Sequence, residues 1–238
     1  MPIDIAAVQD SAELLSWLSD QDISVPRRID GRLTCHTESW VIYRLLSTLE
    51  KEGYLTFPLS VTRQDRPDIL VEFERKKVGV EITETVTKQY AAYCALAERE
   101  FPSAVLEPAH FRYDAKEMSV NEMRELLRQG QLTSDGWSSD RPEHEWAKFM
   151  LSVVETKLEK LAHTAFEKFD QNWLAIYDNL PLPNIDLGKS IGFLQPLLQD
   201  HWLRSPCFDT LYVEHGTAIA KITMKGSEQL VLNDIWVE

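Results

Sequence analysis

RPDILVEFERKKVGVEITET, residues 66–85, is the stretch on which the fold turns. Ile69, Val71 and Phe73 alternate with Asp68, Leu70 and Glu72; beyond a polar turn, Val78, Val80 and Ile82 alternate with Gly79, Glu81 and Thr83. A period of two marks half-buried strands, so the stretch predicts a β-hairpin. With the turn centred on Arg75 and Lys76, Asp68 falls opposite Thr83 and Leu70 opposite Glu81. That register sets Asp68, Glu81 and Thr83 on one face as direct or diagonal neighbours. Two carboxylates held together oppose each other. A divalent cation relieves the repulsion, because it takes oxygen ligands and tolerates water in its remaining positions. The face therefore predicts a hard-metal site.

Upstream, residues 11–19 predict a short helix and Glu38–Glu52 a longer one, with Thr37 as N-cap and Gly53 just past its end. Val41, Ile42, Leu45, Leu46 and Leu49 form one stripe, and Glu38 stands on it, four residues before Ile42 and seven before Leu45. An acid is thereby aimed at the core side, although the helix dipole alone also favours an acid there. YLTFP, residues 54–58, predicts a short strand.

Downstream, His144 to Phe169 predicts a long helix with Met150, Val154, Leu158, Leu161 and Ala165 as its apolar stripe. Lys157 falls just inside that stripe, either snorkelling from its rim or reaching into a site. Asn172–Tyr177 predicts a buried strand. A helix near Leu187–Gln199 and strands at Phe208–Val213, Ala218–Thr223 and Leu230–Val237 follow. This order suits an α/β fold with a mixed central sheet covered by helices on both faces. Residues 90–141 are the least regular part, with one helix at Val120–Arg128 and a polar loop, and predict an inserted helical and loop segment.

The 238 residues, 44% apolar and 26% charged, fit a single domain, 1–238, carrying that insertion. Cys35, Cys94 and Cys207 are far apart and odd in number, which indicates neither a disulfide framework nor a zinc site and suits a reducing cytoplasm. The first residues carry acids where a signal peptide needs a basic start, and no apolar run reaches the ~18 residues of a membrane span. A net charge of −13 disfavours a generic polyanion binder. Residues 25–77, however, hold ten basic and eight acidic side chains, a local +2 against −15 elsewhere. One local surface can meet a polyanion there, while ordinary solvated charge explains any single residue equally well.

Other signatures fail on inspection. Gly188-Lys189-Ser190 has the ending of a P-loop, but Pro183 replaces the leading glycine and Asp186 would face the phosphates. Glu143-His144-Glu145 lacks the second histidine of a helical zinc protease, and the six histidines show no ligand spacing with one another.

Pro67-Asp68, the hairpin, and Glu81 in an apolar strand resemble the core motif of the PD-(D/E)xK nuclease superfamily, the restriction-endonuclease-like fold. The order of elements is similar too: an acid-bearing helix, strands, a long helix and a further strand. The resemblance implies a magnesium-dependent endonuclease, manganese being an alternative ion, acting on DNA in preference to RNA. It implies Asp68 and Glu81 as metal ligands, the backbone carbonyl of Ile82 as a third, and Glu38 as an auxiliary one. The family places a lysine two residues after the glutamate; here that residue is Thr83, whose hydroxyl can orient water but supplies no cation beside developing charge. Some members are similar in taking the lysine from the long helix, which makes Lys157 the first choice, Lys160 the second and Lys88 a weaker one. The other function class is a nuclease-like domain with impaired catalysis, serving as a binding or regulatory module. The oligomeric state stays open, a homodimer included.

Overall fold

Two strands, β3 (Ile69–Phe73) and β4 (Lys76–Thr85), form the hairpin, and they pair Ile69 with Val80 and Phe73 with Lys76. The turn therefore sits on Glu74 and Arg75, one residue earlier than the sequence predicted. Continued by one residue, this register sets Asp68 opposite Glu81, not Thr83, and Leu70 pairs with Gly79, not Glu81. A slip of two positions between strands preserves the facing of every side chain, so Asp68 and Glu81 still share a face. The computed structural model describes residues 4–27, 30–130, 132, 134, 136–163 and 169–236.

The remaining strands are β1 (Asp4–Val8), β2 (Leu59–Arg63), β5 (Gln171–Asp178), β6 (Thr210–His215), β7 (Ala218–Thr223) and β8 (Gly226–Val231). All eight lie in one sheet in chain order; β4–β5 and β5–β6 are parallel and the other neighbours antiparallel. The helices are α1 (Ser11–Ser19), α2 (Thr34–Lys51), α3 (Lys88–Glu100), α4 (Val120–Gln129), α5 (Arg141–Ala162), α6 (Leu187–Leu197) and α7 (Gln199–Trp202). The chain is thus α/β, with a mixed sheet between helices.

One face of the sheet buries Val78, Val80 and Ile82 against Leu14, Ile42 and Leu46 of α1 and α2. The other buries Leu174 and Ile176 against Met150, Val154 and Leu158 of α5 and against α6. Glu81 pairs with Leu174 across the parallel β4–β5 ladder, so its side chain belongs to the α5 face. Gly79, on the same face, has no room for a side chain: a Cβ there would lie 2.7 Å from the Phe169 ring and 2.9 Å from Pro67. That close approach seats Pro67, and with it Asp68, against β4.

Several boundaries differ from the sequence reading; β6, for one, is Thr210–His215 instead of Phe208–Val213. α2 starts at Thr34, three residues before Thr37 would cap it, because the His36 ring accepts a hydrogen bond from the Leu33 N–H and closes the first turn. α5 runs from Arg141 to Ala162; Phe169 is not helical, and residues 164–168, with Ala165 of the expected stripe, lie outside the described residues. The strand expected at 54–58 forms at Leu59–Arg63, and the last strand is Gly226–Val231 instead of Leu230–Val237, whose final residue is outside the described set. Within 90–141, α3 was not foreseen; with α4 and the turn Pro108–Phe111 it closes a small core of Tyr93, Leu96, Phe111, Met123 and Leu127.

Candidate functional site

The β3–β4 ladder ends at the Ile69–Val80 pair, which leaves the N–H and C=O of Ile82 on an open stretch of strand edge. Two side chains take over where the partner strand stops. Asp68 Oδ2 accepts the Ile82 N–H at 2.7 Å. The Lys157 ammonium, arriving from α5, donates to the Ile82 carbonyl at 2.9 Å and to Glu81 Oε1 at 2.6 Å. Lys157 and Glu81 are 13% and 9% exposed, so the ion pair is largely screened from bulk solvent, although both side chains line a cavity.

Lys157 reaches inward for the reason its spacing gave. Met150, Val154, Leu158 and Leu161 are buried against the sheet, and Lys157 follows Val154 by three residues on the flank of that stripe. A lysine ammonium therefore stands beside Glu81, carried by α5 and not by position 83.

Asp68 is the most perturbed acid of the group. Burial, followed by the charge of Glu81 and more weakly that of Glu38, pushes its carboxyl up from 3.8 to about 6, against the Ile82 N–H and Lys157, which pull it down. Two acids and one ammonium thus crowd one strand edge, with negative charge in excess.

Asp68, Glu81, Ile82 and Lys157 line a cavity of about 640 Å³ together with Glu38 and Lys160. Arg66, from the start of the hairpin, also opens onto it. Glu38 reaches this cavity but is paired there with Arg63 of β2 in a tight ion pair, which leaves the carboxylate less open to a metal than the auxiliary role requires. Thr83 lines the adjoining cavity of about 320 Å³, not the one shared by Asp68 and Glu81. Lys88 begins α3 and lines a separate cavity with His110 and Asp114.

Sequence reasoning missed Arg63. The alternation of Ser60 and Thr62 with Val61 marks a strand, but pairing Arg63 with Glu38 depends on a contact across 25 residues that no local pattern encodes. The helix at Gly188-Lys189-Ser190 is capped by its own Asp186, which accepts the Lys189 N–H at 3.0 Å and so occupies the position a phosphate would need.

The oxygens present suit a hard cation. Two carboxylates and a backbone carbonyl converge, and magnesium is commonly held by one or two carboxylates with water completing its shell. Among the described residues, no three His, Cys, Asp or Glu side chains converge to hold a metal ion by side chains alone. The oxygens available here are those of Asp68, Glu81 and the Ile82 carbonyl, and the last two accept hydrogen bonds from the Lys157 ammonium. No helix among the described residues is long and apolar enough to cross a membrane. Comparison with protein-family models, with curated proteins and with solved structures finds no match to this chain.

Proposed function

We propose that this chain is a divalent-metal-dependent endonuclease of the restriction-endonuclease-like kind, hydrolysing phosphodiester bonds of nucleic acid, DNA in preference to RNA, in the cytoplasm. The observation that carries the reading is the meeting of Asp68, Glu81 and the Lys157 ammonium on the open edge of β4 beside a cavity. Asp68, Glu81 and the Ile82 carbonyl would hold magnesium, or manganese in its place. When bound, such an ion supplies an activated water and a counter-charge for a phosphate oxygen.

The remaining roles belong to the chain itself. Asp68 and Glu81 keep hard oxygen donors fixed on a strand, with Asp68 oriented by the Ile82 N–H. Lys157 provides a cation beside the scissile phosphate, where charge builds in the transition state. Arg66 and Lys160, at the rim of the same cavity, offset the local acidity that would otherwise repel a polyanion.

A second reading rests on one specific contact. Lys157 already binds both Glu81 and the Ile82 carbonyl, as a permanent counter-ion would in a domain that binds or regulates without cutting. Plasmid nicking with magnesium and with manganese separates the two. The intact chain is expected to nick, Asp68→Ala and Glu81→Ala to lose at least ~10³-fold, and Lys157→Ala to lose ~10²-fold. Equal behaviour of all four proteins would overturn the enzyme reading and leave the module.

A further inference from the structure

The cavity holding Asp68 and Glu81 does not end there. It shares Thr34, Glu38 and Ile82 with the 320 Å³ cavity beside it, which in turn shares Arg32 and Thr37 with a third cavity of about 520 Å³. The three make one trough past the N-terminal turns of α2 and the C-terminal ends of β4 and β5, the end of parallel strands where α/β sheets bind ligands. Its far wall is α3, the first helix of the insertion.

That third cavity differs in chemistry from the first. Trp40, Tyr90 and Tyr177 line it. Trp40 and Tyr90 are each held by a neighbour: the Arg44 guanidinium lies 4.3 Å from the centre of Trp40 and Tyr90 stands edge-on to Phe111 at 5.3 Å; Tyr177 belongs to β5. Arg27 and Arg32 line it beside the acid Glu98; Arg32 is matched by Glu84, and Arg27 is exposed. Arg32 is itself fixed by Thr37 and Glu84, both at the neighbouring cavity. Aromatic rings beside arginines along a groove form the arrangement that takes unstacked bases and their phosphates.

We propose that this cavity is a subsite for an unpaired nucleobase, so that the substrate is a strand single-stranded on the α3 side of the cleavage point. This rests on the endonuclease reading for the direction of the strand but not for the existence of the subsite. A duplex hides its base faces in the stack and has none to offer the three rings. The insertion thereby gains a role: α3 supplies the wall that distinguishes a frayed, looped or flapped strand from an intact helix. The volume suits it, since ligand cavities commonly run ~300–1,000 Å³.

The test measures anisotropy of a short fluorescein-labelled single-stranded DNA and of its duplex, in calcium, with the full chain. The intact protein is expected to bind the single strand at least ~10-fold more tightly than the duplex. Ala91→Leu, which fills the cavity from α3 with a good helix former, is expected to weaken single-strand binding ~10-fold. Arg27→Gln, an exposed change without folding cost, is expected to weaken it ~3-fold and to flatten its salt dependence by about one charge. Equal binding by both variants and the intact chain, no binding by the intact chain, or equal affinity for duplex would each overturn the subsite. Cleavage of the same single strand in magnesium is scored in parallel. Single-strand binding that depends on Ala91 in a chain that never cuts that strand overturns the nuclease reading alone; cleavage whose apparent KM Ala91→Leu leaves unchanged overturns the subsite alone.

Discussion

Two places in this molecule set a buried cation against two acids, and they are built for opposite ends. On the α1–α2 side, Arg44 of α2 lies 3.1 Å from Glu214 of β6 and pairs tightly with Asp234 of the C-terminal segment. Ser47 and Thr48 hydrogen-bond the backbone of Asn233, and the Trp236 indole donates to the Leu18 carbonyl, so that segment is strapped across α1 and α2. On the α5 side, Lys157 faces Glu81 and Asp68. The charge count is the same. The surroundings are not: Glu214 lines a cavity of only about 10 Å³, whereas Asp68 and Glu81 open onto about 640 Å³. A planar guanidinium fixed between Trp40 and two acids has no substitute in so small a space. On the proposed reading, a flexible ammonium beside an open cavity would yield its oxygens to a hydrated ion. One arrangement is a rivet and the other a socket.

The largest expected effect tests the rivet. Arg44→Met strands a buried carboxylate and should cost about 3–5 kcal/mol in urea unfolding, magnesium present or not. Lys157→Met leaves Glu81 beside water and should cost only about 1–2 kcal/mol. Equal losses would erase the distinction between the two centres.

Next in size is the response to magnesium. At pH 8 and roughly a hundredfold above Kd, the ion should stabilise the intact chain by about 2.7 kcal/mol, raising Tm by at least ~5 °C. Asp68 is protonated below about pH 6, so the Tm gain should shrink at pH 5.5. Asp68→Asn, which keeps an oxygen for the Ile82 N–H, should abolish it, and Arg44→Met should leave it intact.

A third test is the pH slope without metal. Burial raises Glu214 from 4.5 to about 7 despite Arg44, and Asp68 from 3.8 to about 6. Both groups bind protons more tightly in the folded chain than in the unfolded one. Stability therefore falls as pH rises from about 4 to about 7, and deprotonation above the folded values gives none of it back. Glu214→Gln should flatten the slope between about 5 and 7, measured by Tm. Magnesium should flatten only the part below about 6. A single additive acting on both segments of the curve would show that the centres are not independent.

Where the sequence speaks locally it read well. Alternation fixed the faces of Asp68 and Glu81 even though the turn was misplaced, because a two-residue slip leaves parity unchanged. Helical spacing placed Lys157 beside the core, and the ammonium stands on Glu81 as that spacing allowed. The failures share a cause. β1, DIAAV, has two alanines with little strand preference and gains its pairing from β2, which lies more than fifty residues later. α3 has its buried face of Tyr93, Leu96 and Ala97 set by a partner helix in the insertion. Arg63 on Glu38 and the crowding that lifts Asp68 arise only from tertiary contact.

The parallel pairing of β4 with β5 spans the whole insertion, and it separates Glu81 of the socket from its counter-charge by 76 residues. On a ribosome the hairpin emerges long before α5 does. A nascent or truncated chain stopping short of α5 would present two carboxylates and no ammonium, a surface that repels phosphate instead of engaging it. On the endonuclease reading, competence to meet a polyanion would arrive late in synthesis, tied to closure of the longest crossover in the sheet, and an incomplete product would be silent.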